Sequence, residues 1–277
     1  SVPGAQQTGM VPVQLKMNKR QEHHAPVLDF VTRTRCRQPR IGTRKLHYLL
    51  NIQADKTLNI GRDRLFNLPG EYRLLVPVKR AYHKTTNSHH RFYRHPNLLK
   101  SGPDQVTALE PEQVRAADIT YLPLRSGTAY LSLVTDACSR KIVGYHVGEN
   151  LQTENVVKAF RQALRQRKTT GPLVHHSDRG LQYCSVIYQP VHERNGITFS
   201  MTDGYDCYQN ALAERITGIL KNEFYLAPVD LAQARMMVKE SVEIYNHERP
   251  HLALKYKTPD DVHQAFYRQK TVSLYQD

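Results

Sequence analysis

The sequence predicts an α/β protein, a mixed five-stranded sheet with flanking helices, preceded by a small basic helical region. Three observations carry this expectation. From Arg115 onward, three runs with strand character are followed by alternating helical and strand segments. Before that point only short helical patterns occur. The charge divides at the same place. The net charge is +14, and residues 1–100 hold 19 Lys/Arg against 5 Asp/Glu, so the remainder is balanced. This asymmetry points to an arm that binds a polyanion, nucleic acid above all, joined to a charge-neutral domain.

Composition sets further bounds. A chain of 277 residues with 40% hydrophobic content can build one large or two modest domains and is not broadly disordered. No apolar run approaches the roughly 18–20 residues that span a bilayer. Ser1-Val2-Pro3-Gly4-Ala5-Gln6-Gln7 lacks the pattern of a signal peptide, so a soluble, cytoplasmic protein without membrane partners is expected. Cys36, Cys138, Cys184 and Cys207 form no CxxC pair, and disulfides are not expected. The 14 histidines lack zinc-finger spacing, which leaves most of them to surface or nucleic-acid-facing roles.

The first 26 residues are polar and rich in Gln, Pro and Gly, and read as a flexible basic segment. Val27–Cys36 can form a short helix with Leu28, Val31 and Cys36 inside. A second helix follows Thr43, its presumed N-cap, with Leu46, Leu49 and Leu50 on one side. A third starts near Gly61, carries Arg62 and Arg64, and should stop at Pro69-Gly70. Two short basic helices joined by a turn are what a helix-turn-helix DNA reader requires, so residues 27–76 form a candidate DNA-binding region. There Arg44, Lys45, Arg62 and Arg64 would reach phosphates or bases. An ordinary helical hairpin satisfies the same pattern. Residues 77–112 make a basic linker in which Tyr82, Phe92 and Tyr93 alternate with positive charge.

The core spans 113–270. Its first strands are Ala117–Leu124, Thr128–Asp136 and Lys141–Val147. Thr153 caps a helix to about Arg167, with Val156, Val157, Phe160 and Leu164 facing inward. A fourth strand, Leu173-Val174, leads to Asp178. A helix from about Leu181 to Asn195 and a fifth strand, Gly196–Met201, complete the unit. This order is that of the ribonuclease-H-like fold, although other mixed α/β domains share its outline.

Three acidic residues stand out on this frame. Asp118 lies mid-strand among apolar neighbours, which is costly without a partner or a metal. Asp178 ends the fourth strand, which in this topology neighbours the first, and Gly180 beside it allows close approach of substrate. Glu214 shares a helix face with Asn210, Thr217 and Lys221, opposite the stripe Leu212, Ile216, Ile219 and Leu220. Alone, Glu214 and Lys221 read as surface residues of an amphipathic helix. Their weight comes from spacing: 35 residues separate Asp178 from Glu214.

With these residues the sequence resembles the DDE transposases and retroviral integrases, and more closely the OrfB products of bacterial insertion sequences. The matching text is Asp118-Ile119-Thr120-Tyr121, Asp136 with Ser139-Arg140-Lys141-Ile142-Val143-Gly144, and His176-Ser177-Asp178-Arg179-Gly180 with Gln182-Tyr183. It continues through Asn210-Ala211, Glu214, Leu220-Lys221, Tyr245-Asn246, Arg249-Pro250-His251 and Thr258-Pro259. Family members usually carry a Trp just before the first Asp, where this chain has Arg115-Ala116-Ala117, and often Asp-Asn-Ala where it has Gln209-Asn210-Ala211.

The resemblance implies that Asp118, Asp178 and Glu214 are catalytic. Such carboxylates suit two Mg²⁺ or Mn²⁺ ions. It also implies DNA contacts from Lys221, with Arg179, His176 and Asn210 assisting. The expected activity is nicking of insertion-sequence ends followed by strand transfer. The expected partners are terminal-repeat and target DNA, further copies of the chain, and an upstream OrfA partner or fusion. A catalytically silent DNA-binding derivative, or a structure-selective nuclease of the same fold, would share the composition.

Overall fold

The computed structural model describes residues 11–53, 60–72, 74–76, 95–203, 210–225 and 228–274. Expectations placed on residues 1–10, on the linker from 77 to 94 with its three aromatics, and on Cys207 and Gln209 lie outside them. The chain divides into two units, Ser1–Lys79 and Arg80–Asp277.

The first unit contains α1 (Val11–Arg37), α2 (Thr43–Gln53) and α3 (Arg62–Glu71). Val27, Phe30 and Val31 of α1 pack with Leu46, Leu49 and Leu50 of α2 and with Leu65 and Leu68 of α3. Several expectations are corrected here. The segment before Pro26 is helical from Val11, and Pro26 lies inside the helix, where it removes one backbone bond while the ladder continues around it. Cys36 is exposed. Five residues beyond Val31, it has turned off the buried stripe that Val27, Phe30 and Val31 form. Thr43 is the first helical residue and not the cap, because the Gly42 carbonyl accepts from Lys45 N at 3.0 Å and Leu46 N at 3.2 Å. α3 runs through Pro69-Gly70 to Glu71, since Pro69 is itself buried alongside Leu65 and Leu68. Proline near the last turn removes only one ladder bond.

The second unit is built on a sheet of order β3-β2-β1-β4-β5. The strands are β1 (Val114–Leu124), β2 (Gly127–Asp136), β3 (Ile142–Gly148), β4 (Leu173–Ser177) and β5 (Ile197–Met201). The first three are antiparallel, β4 runs parallel to β1, and β5 runs parallel to β4. Helix α4 (Thr153–Arg165) links β3 to β4, and the short α5 (Gln189–Glu193) precedes β5. Against one face of the sheet pack Val156, Val157, Ala159, Phe160 and Ala163 of α4 with Tyr183 and Tyr188. The other face holds Ile216 of α6 (Ala211–Ile219) and Ala234, Val238, Val242 and Tyr245 of α7 (Leu231–His247). The last helix is α8 (Pro259–Leu274). This three-layer arrangement, with its half-antiparallel, half-parallel sheet, is the ribonuclease-H-like architecture.

The helix expected over Leu181–Asn195 is a series of turns, and only Gln189–Glu193 is helical. Pro190 explains the late start: it suits a first helical turn, but disfavours helical backbone in the residue before it and cannot donate within a ladder. Ser185 accepts from Ile187 N at 3.2 Å through its hydroxyl and from Tyr188 N at 2.9 Å through its carbonyl, which closes the preceding turn. Gln152, not Thr153, is the N-cap of α4. The α7 stripe runs through Ala234, Val238, Val242 and Tyr245, and Met236 is 65% exposed. Asp230 opens α7 with a capping box, accepting from Gln233 N at 2.8 Å.

Gly144 shows how tightly the layers meet. A Cβ there would lie 2.1 Å from the Ala159 carbonyl oxygen and 2.9 Å from the Ala163 Cβ. Both obstacles belong to the α4 backbone or its smallest side chain, so the helix would have to leave the sheet. Gly144→Ala is expected to destabilise this unit by about 2–3 kcal/mol, measured by urea unfolding. An unchanged midpoint would mean that α4 can shift freely.

Candidate active site

Asp118 sits opposite Leu133 in the β1–β2 register. Period-two alternation puts it on the same face as Leu122, the face covered by α6 and α7. Asp178 follows β4 directly. The Gly180 amide donates to its Oδ1 at 3.0 Å, and a Cβ on Gly180 would stand 3.1 Å from that oxygen. Helix α6 completes the arrangement. At its start the Asn210 amide nitrogen donates to the Ala117 carbonyl at 3.0 Å, tying the helix to the residue before Asp118. Two turns on, the Thr217 hydroxyl lies 2.8 Å from Asp118 Oδ2. Glu214, one turn before Thr217, is exposed.

The three carboxylates sense one another. Burial chiefly, and then the Asp178 carboxylate, push Asp118 up to about 7, with Glu214 adding to the effect and the Thr217 hydroxyl opposing it. Burial and Asp178 likewise raise Glu214. Among the described residues, no three His, Cys, Asp or Glu side chains stand close enough to hold one ion. The donor set nevertheless fits a hard divalent cation. It offers carboxylate oxygens alone, gathered where burial and mutual repulsion both favour added positive charge.

Two expected DNA contacts are corrected. His176 is 1% exposed, with Nδ1 2.8 Å from Ser200 Oγ, and its neighbour His175 is equally buried, 2.9 Å from the Tyr188 hydroxyl. β4 runs between β1 and β5 and is covered on both faces, so consecutive residues enter the core on opposite sides. Burial above all holds His175 well below the ordinary histidine range, and it stays neutral. Asn210, 4% exposed, ties helix to strand and does not face solvent. Arg179 is partly buried beside Asp178. Lys221 is partly buried on a π-helical turn, Leu220–Phe224, where a continuous α-helix was expected. In the first unit, Arg44, Arg62 and Arg64 are exposed and Lys45 is half-buried. Arg62 meets Asp63 at 3.0 Å.

Other motif residues prove structural. The Asn246 side chain accepts from Ile142 N at 2.9 Å and donates to its carbonyl at 3.0 Å, as a strand partner would. Arg249 makes a two-pronged pair with Glu223, at 2.8 and 2.7 Å, which joins the end of α7 to the π turn. A polar cluster escaped the sequence reading altogether. Asp136 accepts from Glu112 N at 2.7 Å and from the Ser139 hydroxyl at 2.8 Å, and Ser139 Oγ lies 2.9 Å from His263 Nδ1. His263 Nε2 lies 3.1 Å from the Tyr267 hydroxyl, which donates to Glu112. Arg115, fully buried, lies 3.9 Å from Glu112. The chain of contacts therefore fastens α8 to β1 and β2. Asp136 and Ser139 were visible as motif text, but nothing local in the sequence connects them to residue 263.

Among solved structures, the integrase catalytic core domain of HTLV-2, determined in complex with magnesium, is 19% identical. It aligns with a TM-score of 0.46 over 56% of this chain and 98% of its own. Two models described as integrase core domain match residues 108–207 and 195–259. The 31 kDa protein of insertion element IS600 from Shigella sonnei is 37% identical over 232 residues, covering 83% of this chain and 81% of that protein. The transposase for insertion sequence element IS904 from Lactococcus lactis subsp. lactis is 32% identical over 194 residues, 68% of this chain and 77% of its own length. A sheet of this order, its acidic residues and relatives of this extent together place the chain among the bacterial insertion-sequence transposases of the DDE and integrase-core family.

Proposed function

We propose that this transposase nicks the ends of an insertion sequence and joins each freed 3′-hydroxyl to target DNA, with Asp118, Asp178 and Glu214 as the catalytic and metal-holding residues. The observation that carries the reading is the placement of these three carboxylates, on β1, at the end of the adjacent β4 and on α6, whose Thr217 bonds to Asp118; their mutual raising of one another agrees with it. Bound Mg²⁺ or Mn²⁺, two ions in the fullest form, supplies activation of the attacking oxygen and stabilisation of the departing one.

The protein's own residues do the rest. Asp118 and Asp178 offer rigid oxygens from strand positions, and Gly180 both orients the Asp178 carboxylate and leaves room for a phosphodiester. Glu214 enters from the side on α6. Lys221 and Arg179, near the two later acids in sequence, neutralise the phosphate. In the first unit Arg44, Lys45, Arg62 and Arg64 grip the DNA backbone in a helix-turn-helix manner, with the linker tracking the strand. DNA at the terminal repeats, target DNA, further copies of the chain on paired ends, and an OrfA partner or fusion are the partners in this reading, and the cytoplasm with its nucleoid is the setting. Among the described residues no helix is long and apolar enough to cross a membrane.

The test is a joining assay with labelled terminal-repeat oligonucleotides. Joined products should form with Mg²⁺ or Mn²⁺, be absent with chelator, and return on adding metal back. DNA binding without metal-dependent joining would favour the silent derivative, and cutting without joining the nuclease.

A further inference from the structure

We infer that Thr217 is a positioning residue for the reaction, fixing the carboxylate of Asp118 through its hydroxyl. The inference rests on Asp118 being a metal-holding residue, as proposed above. The Thr217 hydroxyl has one proton and three acceptors within reach: Asp118 Oδ2 at 2.8 Å, the Glu214 carbonyl at 2.9 Å and the Ala213 carbonyl at 3.2 Å. A helical threonine ordinarily bonds back to the preceding turn. Here the two carbonyls already belong to the backbone ladder of α6, while the carboxylate in its ionised, metal-holding form accepts the stronger bond. Thr217 is 4% exposed, so water does not compete.

The bond has two consequences for the site. It holds one oxygen of Asp118 and, with the backbone hydrogen bond from Ile119, restrains the carboxylate's rotation. It also makes α6 a single part with two duties, since the helix that carries Glu214 also sets the orientation of Asp118. Asn210, bonded to the Ala117 carbonyl, holds the start of the same helix to the same strand. The strand-borne and helix-borne acids are therefore aligned to each other by two side chains rather than by packing alone. Partners that orient metal ligands typically change metal affinity or activity by 10–100-fold when removed.

The experiment uses the full chain bound to terminal-repeat DNA, with Mn²⁺ binding followed by electron paramagnetic resonance and joining kinetics measured alongside melting temperature. Thr217→Val should weaken Mn²⁺ binding by about 10–100-fold and lower kcat by a similar factor, with KM for DNA unchanged. Thr217→Ser, which keeps the hydroxyl, should stay within about threefold of the parent in both. If the valine variant is unstable, Thr217→Ala removes the hydroxyl without adding bulk and carries the same expectation. Parent-like Mn²⁺ binding in Thr217→Val or Thr217→Ala overturns the inference, as does a serine variant as impaired as valine. Asp118→Asn separates this from the underlying reading. If it loses Mn²⁺ binding while Thr217→Val does not, only the role of Thr217 fails. If Asp118→Asn itself binds Mn²⁺ and joins DNA normally, the metal-holding assignment fails too.

Discussion

Asp178→Asn is expected to abolish strand joining and, in metal-free buffer, to raise the melting temperature. Asparagine keeps the shape and can still accept the Gly180 amide, at 3.0 Å in the parent, through its oxygen. It cannot carry the charge that a divalent ion needs. A loss of about 10³-fold or more in joining, some 4 kcal/mol of barrier, is expected. The gain in stability has the opposite origin. In the metal-free protein Asp178 is an unwelcome charge beside Asp118, which burial and Asp178 push up to about 7.

The pH dependence follows from that shift. Between the ordinary aspartate range and pH 7, the folded protein keeps a proton on Asp118 that the unfolded chain has released. The stability contributed by this group is therefore greatest on the acid side and is lost as pH rises through 7. Removing the Asp178 charge should lower the upper end of that interval. Glu214→Gln should act in the same direction on activity, with a smaller change in melting temperature because Glu214 is exposed. Lost activity accompanied by a falling melting temperature would signal misfolding instead. Retained joining in Asp178→Asn would end the assignment.

Glu112→Gln should produce the largest loss of stability. Glu112 is 2% exposed and accepts from Lys168 N at 3.0 Å, from Thr169 N at 2.8 Å and its hydroxyl at 2.6 Å, and from Tyr267. Burial pushes its carboxyl up, but these bonds together outweigh it and hold the group below the ordinary range. Arg115 is fully buried, and its three guanidinium nitrogens have no hydrogen-bond partner among the described residues. Its compensation is electrostatic, from Glu112 and Asp136. Taking away the nearer anion strands a buried cation, which costs about 3–5 kcal/mol. Chemical denaturation would measure it. Arg115→Met in the Glu112→Gln background should recover part of the loss, because the stranded charge goes with it. A single-variant loss below about 1 kcal/mol would show that Asp136 suffices for Arg115.

What could be read from the sequence follows the range of the interactions involved. β1, β2, β3 and α4 were legible because alternation and helical spacing are local signals, while the acids at positions 118, 178 and 214 stood out by residue type and spacing alone. The short α5 was misread because Leu181–Asn195 has acceptable spacing and only the geometry of Pro190 denies it. His175 and His176 looked polar and available. Their burial follows from β4 lying mid-sheet, a fact of topology that polarity masks. Thr217 was placed on the right helix face, but its bond crosses 99 residues to Asp118 and has no local signature. Arg115 was noticed only as a departure from a tryptophan, with no hint that residues 112, 136, 263 and 267 surround it.

That last cluster bears on the order in which the protein can be made. The hydrogen bond between Glu112 and Tyr267 spans 155 residues, and Arg115 lies on the same strand as Asp118. As the chain leaves the ribosome, β1, β2 and the anions that compensate Arg115 can assemble early, yet the Tyr267 hydroxyl that holds Glu112 awaits α8. Closing so long a loop is slow. A nascent chain interrupted before α8 would hold β1 in an incompletely fastened core, open to proteolysis.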